Sequence, residues 1–254
     1  MRTTGKQLLI ALTLNAVAVL ALAYSLGWID MLKSWSSSNT TQTDTDDGSV
    51  GTGMASLNAD DIFPVDPLPW SFDFDNLPDP PDTWIGIDEG YDVSPDGGGR
   101  VFIRRPPETS NPEFTPCLFG GFGMSNYSIQ SDVQAKFSDG ELPNVGIIAQ
   151  GYVLELQGAN QKLEIRGWAP HPDVCDTIDF PWSPDSWYVM KLRVSVADGK
   201  VTVQGRVWPR GEEEPEKWDI DTSVEEPNRT GCPGVFGDNP NTEVLFDNIQ
   251  VTAN

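Results

Sequence analysis

The sequence predicts an all-β fold in which antiparallel strands form a sandwich or a barrel, and three observations carry this prediction. Segments of alternating apolar and polar residues recur from about Trp70 to the C-terminus. Glycine and proline are frequent, at 24 and 21 residues, which is normal for a β-protein dense in turns. No amphipathic helical pattern occurs over the same stretch.

Four segments show the strand pattern most clearly. Residues 127–135 alternate with one apolar face, and residues 151–168 read as two such strands around a short turn. Residues 187–208 form the clearest hairpin, because the Asp198-Gly199 pair between its halves suits a type I′ turn. Residues 242–252 supply a closing strand. Short strands with turns between them predict a sandwich or barrel from residue 70 to residue 254.

The charge of the chain limits its partners. The formal net charge is −22, which argues against nucleic acid because phosphate binding needs a basic face. It also disfavours flat contact with anionic lipid headgroups and leaves basic proteins or cations as partners.

The chain has three cysteines. Cys117 and Cys232 are the first candidates for a disulfide, which would leave Cys175 unpaired. The other interpretation is three small buried side chains.

An uncharged run from Leu8 to Ile29 predicts a single transmembrane helix over residues 1–33, because it is long enough to cross the hydrocarbon layer. Arg2 and Lys6 precede the run and Asp30 follows it. The positive-inside rule therefore places the N-terminus in the cytoplasm. We expect the rest of the chain on the periplasmic side of a bacterial inner membrane.

Within this predicted anchor, Asn15 could bond to a neighbouring helix, and Tyr24 and Trp28 suit an interfacial aromatic belt. A cleaved signal peptide is the competing interpretation, since residues 21–23 form an Ala-Leu-Ala site. Residues 34–69 are polar and then rich in proline, which predicts an extended tether.

The segments NYSIQSDV, GYVLELQGANQKLEIRGW, PNRTGCPGVFG and VLFDNIQV occur in this order between residues 126 and 251. In these segments the chain resembles the concanavalin A-like lectin/glucanase (laminin G-like) jelly-roll domain. It is especially similar to the bacterial version attached to pyrroloquinoline-quinone-type β-propeller proteins. The resemblance implies two stacked antiparallel sheets with a concave face. No propeller precedes the domain, so no function is transferred from that architecture.

The resemblance also bears on catalysis. Glucanase members of the superfamily carry two catalytic acids spaced E-x-D-x-x-E on one strand. This sequence has no such motif, and Glu155 and Glu164 lack partners at that spacing. We therefore expect no catalytic residues and no enzyme activity. A divergent glycoside hydrolase with another acid pair is the less favoured alternative.

A structural calcium ion is the one cofactor that the resemblance implies, held where the first and last strands meet. Asp247 matches the family's aspartate on the last strand, and Asp73 or Asp75 could lie nearby. Carboxylate and carbonyl oxygens are the ligands that Ca²⁺ prefers. The alternative is that Asp247 only bonds to neighbouring backbone groups. No organic cofactor is expected.

Exposed tryptophans are the candidates for a ligand platform. Trp168, Trp187 and Trp208 could stack against a sugar on the concave face, or they could be ordinary packing residues.

The predicted anchor, the sandwich and the candidate residues together give two functional hypotheses. The first is a non-catalytic subunit that docks on or stabilises a larger inner-membrane complex. An energy-converting complex, photosynthetic or respiratory, is the expected host only because such complexes often contain single-span accessory subunits. The alternative is a tethered carbohydrate-binding module.

Overall fold

A computed structural model describes residues 67–87, 90–106, 116–138, 140, 142–168, 174–224, 227–238 and 242–254. The predicted anchor residues Leu8, Asn15, Tyr24 and Trp28 and the tether up to residue 66 lie outside these ranges. Within the described ranges, no helix is long and apolar enough to span a membrane.

The described residues form fourteen β-strands, all within the compact unit made of Leu57–Gly167 and Asp173–Asn254. In chain order the strands are β1 (Trp70–Phe72), β2 (Tyr91–Asp96), β3 (Gly99–Arg104), β4 (Cys117–Leu118), β5 (Tyr127–Ala135), β6 (Asn144–Ala149), β7 (Tyr152–Gln157), β8 (Lys162–Gly167), β9 (Val174–Asp179), β10 (Tyr188–Ala197), β11 (Lys200–Pro209), β12 (Ile220–Val224), β13 (Gly234–Asp238) and β14 (Val244–Ala253).

Two antiparallel sheets make up the fold. The eight-stranded sheet has the order β12-β11-β10-β5-β14-β3-β2, with β1 pairing to β14, and the six-stranded sheet has the order β4-β13-β6-β7-β8-β9. Strands far apart in sequence are neighbours in space: β14 lies between β5 and β3, and β13 lies between β4 and β6. This arrangement confirms the predicted jelly-roll β-sandwich.

The long hairpin of β10 and β11 is paired without interruption from Tyr188 opposite Pro209 to Ala197 opposite Lys200. Asp198 and Gly199 between them have φ values of 51° and 77°. Positive φ at both central residues defines the type I′ turn that the sequence predicts. The turn therefore sets the register of the whole hairpin, because a slip of one residue would reverse both faces.

The core lies between the two sheets and takes one apolar face from each. Alternate residues of β6 such as Val145 and Ile147 meet alternate residues of β10 such as Leu192 and Val194, all fully buried. An aromatic group extends the core, with Trp84 stacked on Phe119 at 4.6 Å between ring centroids. Burying one such side chain contributes about 1.5–3 kcal/mol.

None of the three cysteines forms a disulfide, and Cys117 and Cys232 are buried. The pairing of β4 with β13 sets Cys117 opposite Val235, three residues beyond Cys232. Burial raises the pKa of both thiols, that of Cys232 to about 12. Both therefore stay protonated at neutral pH and behave as small apolar core residues.

Candidate functional site

An open cleft with a volume of about 640 Å³ lies where four segments meet at one end of the sandwich. We call it the end cleft. The segments join β5 to β6, join β7 to β8, join β9 to β10 and end β13. Antiparallel topology brings these strand ends together although they are spread over a hundred residues of sequence. The side chains that matter most here are Phe137, Leu142, Asn144, Gln161, Trp182 and Asp238.

Phe137 is the most unusual side chain of the end cleft. Its exposed fraction is 54%, and among the described residues it is the one large hydrophobic side chain that is exposed. It follows β5 directly after Lys136, whose backbone N–H donates to Glu243 O at 3.0 Å. The backbone beside the ring is thus tied to the sheet, while the ring itself faces solvent. An exposed aromatic ring at the edge of a cleft is a feature of ligand-binding surfaces.

Hydrogen bonds hold the wall of the end cleft in place. The Gln161 side chain accepts from the Trp182 backbone N–H at 2.9 Å and donates to Gly158 O at 3.0 Å. The Asn144 Oδ1 atom accepts from Gly158 N–H at 2.9 Å, which leaves the Nδ2 donors of Asn144 without a partner among the described residues. Trp182 Nε1 donates to Gln157 O at 3.1 Å. The β7–β8 turn and the β9–β10 loop therefore form one preorganised wall.

The charge of the end cleft comes from Asp238. This exposed residue ends β13, and its carboxylate makes no ion pair or hydrogen bond with any residue that the structure describes. No lysine, arginine or histidine occurs among the described lining residues. Among the described residues the cleft therefore offers an unpaired carboxylate acceptor, the unpaired amide donors of Asn144 and an aromatic face. It repels anionic ligands and suits a neutral molecule with several hydroxyl groups.

Asp247, the predicted calcium ligand, lies in a different place, on the outer face of the eight-stranded sheet. It is opposite Asp132 of β5 in register. Arg210 bonds to both carboxylates, through Nε to Asp132 Oδ2 and through Nη2 to Asp247 Oδ2, each at 2.9 Å. Asn248 Nδ2 also donates to Asp132 Oδ2 at 2.8 Å. Burial raises the pKa of both carboxyl groups, and Arg210 opposes the rise.

These contacts do not fit a calcium ion at Asp247. The Arg210 guanidinium already lies between the two carboxylates, where a cation would be held. Asp75 is engaged elsewhere, accepting from the Arg100 backbone N–H at 2.9 Å, and Asp73 is exposed just after β1. Among the residues in the described ranges, no group of three or more His, Cys, Asp or Glu side chains could hold a metal ion. Asp132 and Arg210 are the partners of Asp247 that the sequence analysis missed.

The three predicted tryptophans do not form a common platform. Trp208 on β11 is 5% exposed. Trp187 covers a small apolar cluster of Val101, Ile103 and Leu245, with Arg210 at 5.0 Å from its ring centroid. Trp168 is half-buried and follows β8, in the other sheet. Their role in ligand binding stays a prediction, and the structure places none of them among the described residues of the end cleft.

Glu155 and Glu164 face each other across β7 and β8, on the outer face of the six-stranded sheet. Arg166 Nε is 2.9 Å from Glu155 Oε2 and 4.0 Å from Glu164 Oε1. Burial raises the pKa of Glu155, which is 5% exposed, and Arg166 opposes the rise. The sequence analysis noted only that these two residues lack acid partners at the E-x-D-x-x-E spacing; Arg166 and the facing of the two residues depend on the register of β7 and β8.

Comparison with known proteins gives similarity to solved structures alone, since no protein-family model and no curated protein sequence matches the chain. The carbohydrate-binding module CBM66 from Bacillus subtilis is 11% identical, with 67% of this chain and 96% of that chain covered and a TM-score of 0.48. A xylan β-1,4-xylosidase from Bacillus halodurans C-125 is 14% identical, with 74% and 40% covered and a TM-score of 0.48. Lectin II from Ulex europaeus is 12% identical, with 73% and 97% covered and a TM-score of 0.47. Identities this low carry no information about the ligand.

Proposed function

We propose that this chain is a non-catalytic carbohydrate-binding protein whose sugar site is the end cleft. The observation that carries the proposal is the exposed ring of Phe137 at the edge of a cleft whose polar side chains are uncharged amides and one free carboxylate. The C–H face of a pyranose ring packs on an aromatic ring, and its hydroxyl groups need paired donors and acceptors. Asn144 supplies donors and Asp238 supplies an acceptor.

Electrostatics define the class of sugar. Asp238 is the one charged side chain among the described lining residues, and the whole chain carries a net charge of −22. A uronic acid or a sulfated sugar would meet this negative field with no cation in the cleft to bind its charge. We therefore assign neutral glycans to the site.

We propose that the site binds sugars without cleaving them. Glycoside hydrolysis requires two carboxyl groups on either side of the scissile bond. The described lining of the end cleft supplies one, Asp238. The buried carboxylates elsewhere are bound to arginine, Glu155 to Arg166 and the pair on the other sheet to Arg210. Release of new reducing ends from a bound oligosaccharide would contradict this part of the proposal.

The predicted anchor adds a location to the proposal: the sandwich is displayed on a tether at the periplasmic face of a bacterial inner membrane. The uncharged run from Leu8 to Ile29 supports this, and it also supports the alternative of a subunit docked on a larger membrane complex. Gentle detergent extraction and native electrophoresis of the native membranes separate the two. A large band with defined partner proteins favours the docked subunit, and migration alone favours the tethered sugar-binding protein.

Substitution of Phe137 tests the sugar site. We expect Phe137→Leu to weaken binding of neutral oligosaccharides about tenfold, equivalent to about 1.4 kcal/mol, because leucine is apolar but offers no flat ring. Phe137→Tyr is the matched control and should retain binding. Neither change should lower the unfolding temperature, since the side chain is 54% exposed. Isothermal titration calorimetry measures the affinities, after a glycan array has selected the sugars. Unchanged affinity of Phe137→Leu, or no glycan bound by the native chain, would contradict the proposal.

A further inference from the structure

The outer face of the six-stranded sheet carries a row of polar side chains that begins in the end cleft. Asp238 of β13 is opposite Asn144 of β6, and Lys162 of β8 is opposite both Gln157 of β7 and Asp179 of β9. The hydrogen bond from Gly158 N–H to Asn144 Oδ1 joins the two halves of the row between β6 and β7. We call this row, with one residue from each of five adjacent strands, the polar track.

Alternation along the strands sets these side chains on the outer face. Their chain neighbours Val145, Leu156 and Leu163 are fully buried in the core between the sheets. Because successive side chains of a strand point to opposite faces, Asn144, Gln157 and Lys162 point away from the core.

On β13 and β7 the polar track is more accessible than the next row of the same face, whereas on β8 and β9 that next row is half-buried at Glu164 and exposed at Thr177. Asp238 and Asp179 are exposed, and Asn144, Gln157 and Lys162 are half-buried. One step further along the strands, Phe236 is 0% and Glu155 is 5% exposed. The buried residues of the next row on β13 and β7 leave the track as the more accessible surface beside the end cleft.

The groups of the track suit a chain of sugar hydroxyls. Gln157 Oε1 accepts from Asn160 Nδ2 at 3.0 Å, and the Nε2 donors of Gln157 have no partner among the described residues. Lys162 supplies donors and Asp179 supplies acceptors, and neither makes an ion pair within 4 Å in the described part of the chain. The track therefore has a carboxylate acceptor at each end, Asp238 and Asp179, with three donor side chains between them.

We propose that the end cleft continues into the polar track and that its ligand is a linear, neutral glycan chain lying across the strands. This inference rests on the proposed function. Adjacent strands are about 4.8 Å apart, so five strands give a track of roughly 19 Å. One pyranose ring is comparable in length to one strand spacing, so the track accommodates roughly four sugar units. Phe137 and Asn144 hold one end of the chain, and Lys162 and Asp179 contact the other.

Chain length is the variable that tests the proposal. The probes are linear gluco-, xylo- and N-acetylglucosamine oligosaccharides of one to six units, titrated calorimetrically into the full-length protein. In the series that binds, we expect affinity to rise at least tenfold between the disaccharide and the tetrasaccharide and then to level off. Equal affinity for all lengths would overturn the extended track and leave the sugar site intact.

Two variants at the far end of the track give the decisive comparison. Asp179→Ala and Lys162→Met should each weaken tetrasaccharide binding about three- to tenfold and leave disaccharide binding unchanged. Phe137→Leu should weaken both. Asp198→Asn, which alters an exposed aspartate in the β10–β11 turn of the other sheet, is the matched control and should change neither. Tetrasaccharide binding that is unaffected by both far-end variants would overturn the track. Failure of every oligosaccharide to bind the native chain would instead overturn the proposed function.

Discussion

Tyr127 joins the two sheets through one buried hydroxyl group. The residue begins β5 of the eight-stranded sheet and is 0% exposed. Its hydroxyl donates to Gly231 O at 2.8 Å and accepts from the Gln150 backbone N–H at 2.7 Å, just after β6 of the six-stranded sheet. Both partners are backbone groups of buried residues. A buried polar group without a partner costs more than a hydrogen bond contributes in exchange with water.

We therefore expect Tyr127→Phe to lower the free energy of unfolding by about 2 kcal/mol, since it leaves two buried backbone groups unpaired. Tyr188→Phe is the matched control, because its hydroxyl accepts from the exposed Ser183 N–H at 3.0 Å. That change should cost less than about 0.5 kcal/mol, since water can replace the bond. Urea unfolding followed by tryptophan fluorescence measures both values. Equal effects of the two substitutions would contradict the role assigned to Tyr127.

Arg210 joins two groups as Tyr127 does, but through its charge. It neutralises two carboxylates that lie opposite each other and are 8% and 12% exposed, Asp132 and Asp247. Arg210→Gln should destabilise the protein by about 2 kcal/mol at pH 7.5, below the 3–5 kcal/mol of a fully buried pair, because the guanidinium is 38% exposed. Arg193→Gln, on the same sheet face and without an ion pair among the described residues, removes the same charge and should have little effect.

The pH dependence of the Arg210→Gln variant has a definite sign. Burial raises the pKa of both carboxyl groups above 3.8, so the folded chain binds protons there more tightly than the unfolded chain does. Stability therefore falls as the pH rises through these pKa values. Removing Arg210 raises both pKa values further and enlarges this loss. The cost of Arg210→Gln should be smaller at pH 5 than at pH 7.5, and a cost independent of pH would refute the ion-pair explanation.

Among the elements, the β10–β11 hairpin depends on its turn. Gly199 has φ of 77°, and a Cβ atom placed there would meet nothing within 4 Å. Gly199→Ala should therefore cost about 1 kcal/mol through backbone conformation alone. Gly199→Asn should cost less, because asparagine tolerates positive φ. Thermal unfolding of the two variants checks this ranking. An alanine variant as stable as the native chain would show that the turn does not set the register.

The strands that could be predicted from the sequence are those whose residues alternate between apolar and polar. Residues 127–135, 187–208 and 242–252 alternate in this way, and β5, β10, β11 and β14 confirm them, although β5 is buried along most of its length. Strand β6 was not predicted, because its sequence NVGIIA is buried along most of its length and does not alternate. The sequence analysis did not single out the β2–β3 hairpin, whose turn lies at Gly97 and Gly98.

The site was harder to predict than the strands. Phe137 and Asn144 lie at the two ends of the β5–β6 connection, and only the sheet order brings Asp238 of β13 opposite Asn144, so no spacing between the three marks a motif. The sequence analysis chose tryptophans as sugar-stacking candidates, yet Trp208 is a packing residue that is only 5% exposed. Asp247 was located on the correct strand, but its partners Asp132 and Arg210 depend on strand register, which a single sequence does not supply.

At the scale of the whole molecule, repulsion between like charges opposes folding. The net charge of −22 at pH 7 is large for 254 residues, and compacting the chain brings the carboxylates closer together. Raising NaCl from 10 to 150 mM shortens the screening length from about 30 Å to about 8 Å. We expect the unfolding temperature to rise by a few degrees over this range, which calorimetry measures directly. Choline chloride at the same ionic strength is the control and should act equally, because screening does not depend on the identity of the cation.

Calcium chloride at 100 μM barely changes the ionic strength. Because Arg210 lies between Asp132 and Asp247, calcium should leave the unfolding temperature unchanged. A calcium-specific rise would contradict this expectation and restore the calcium site predicted from the sequence.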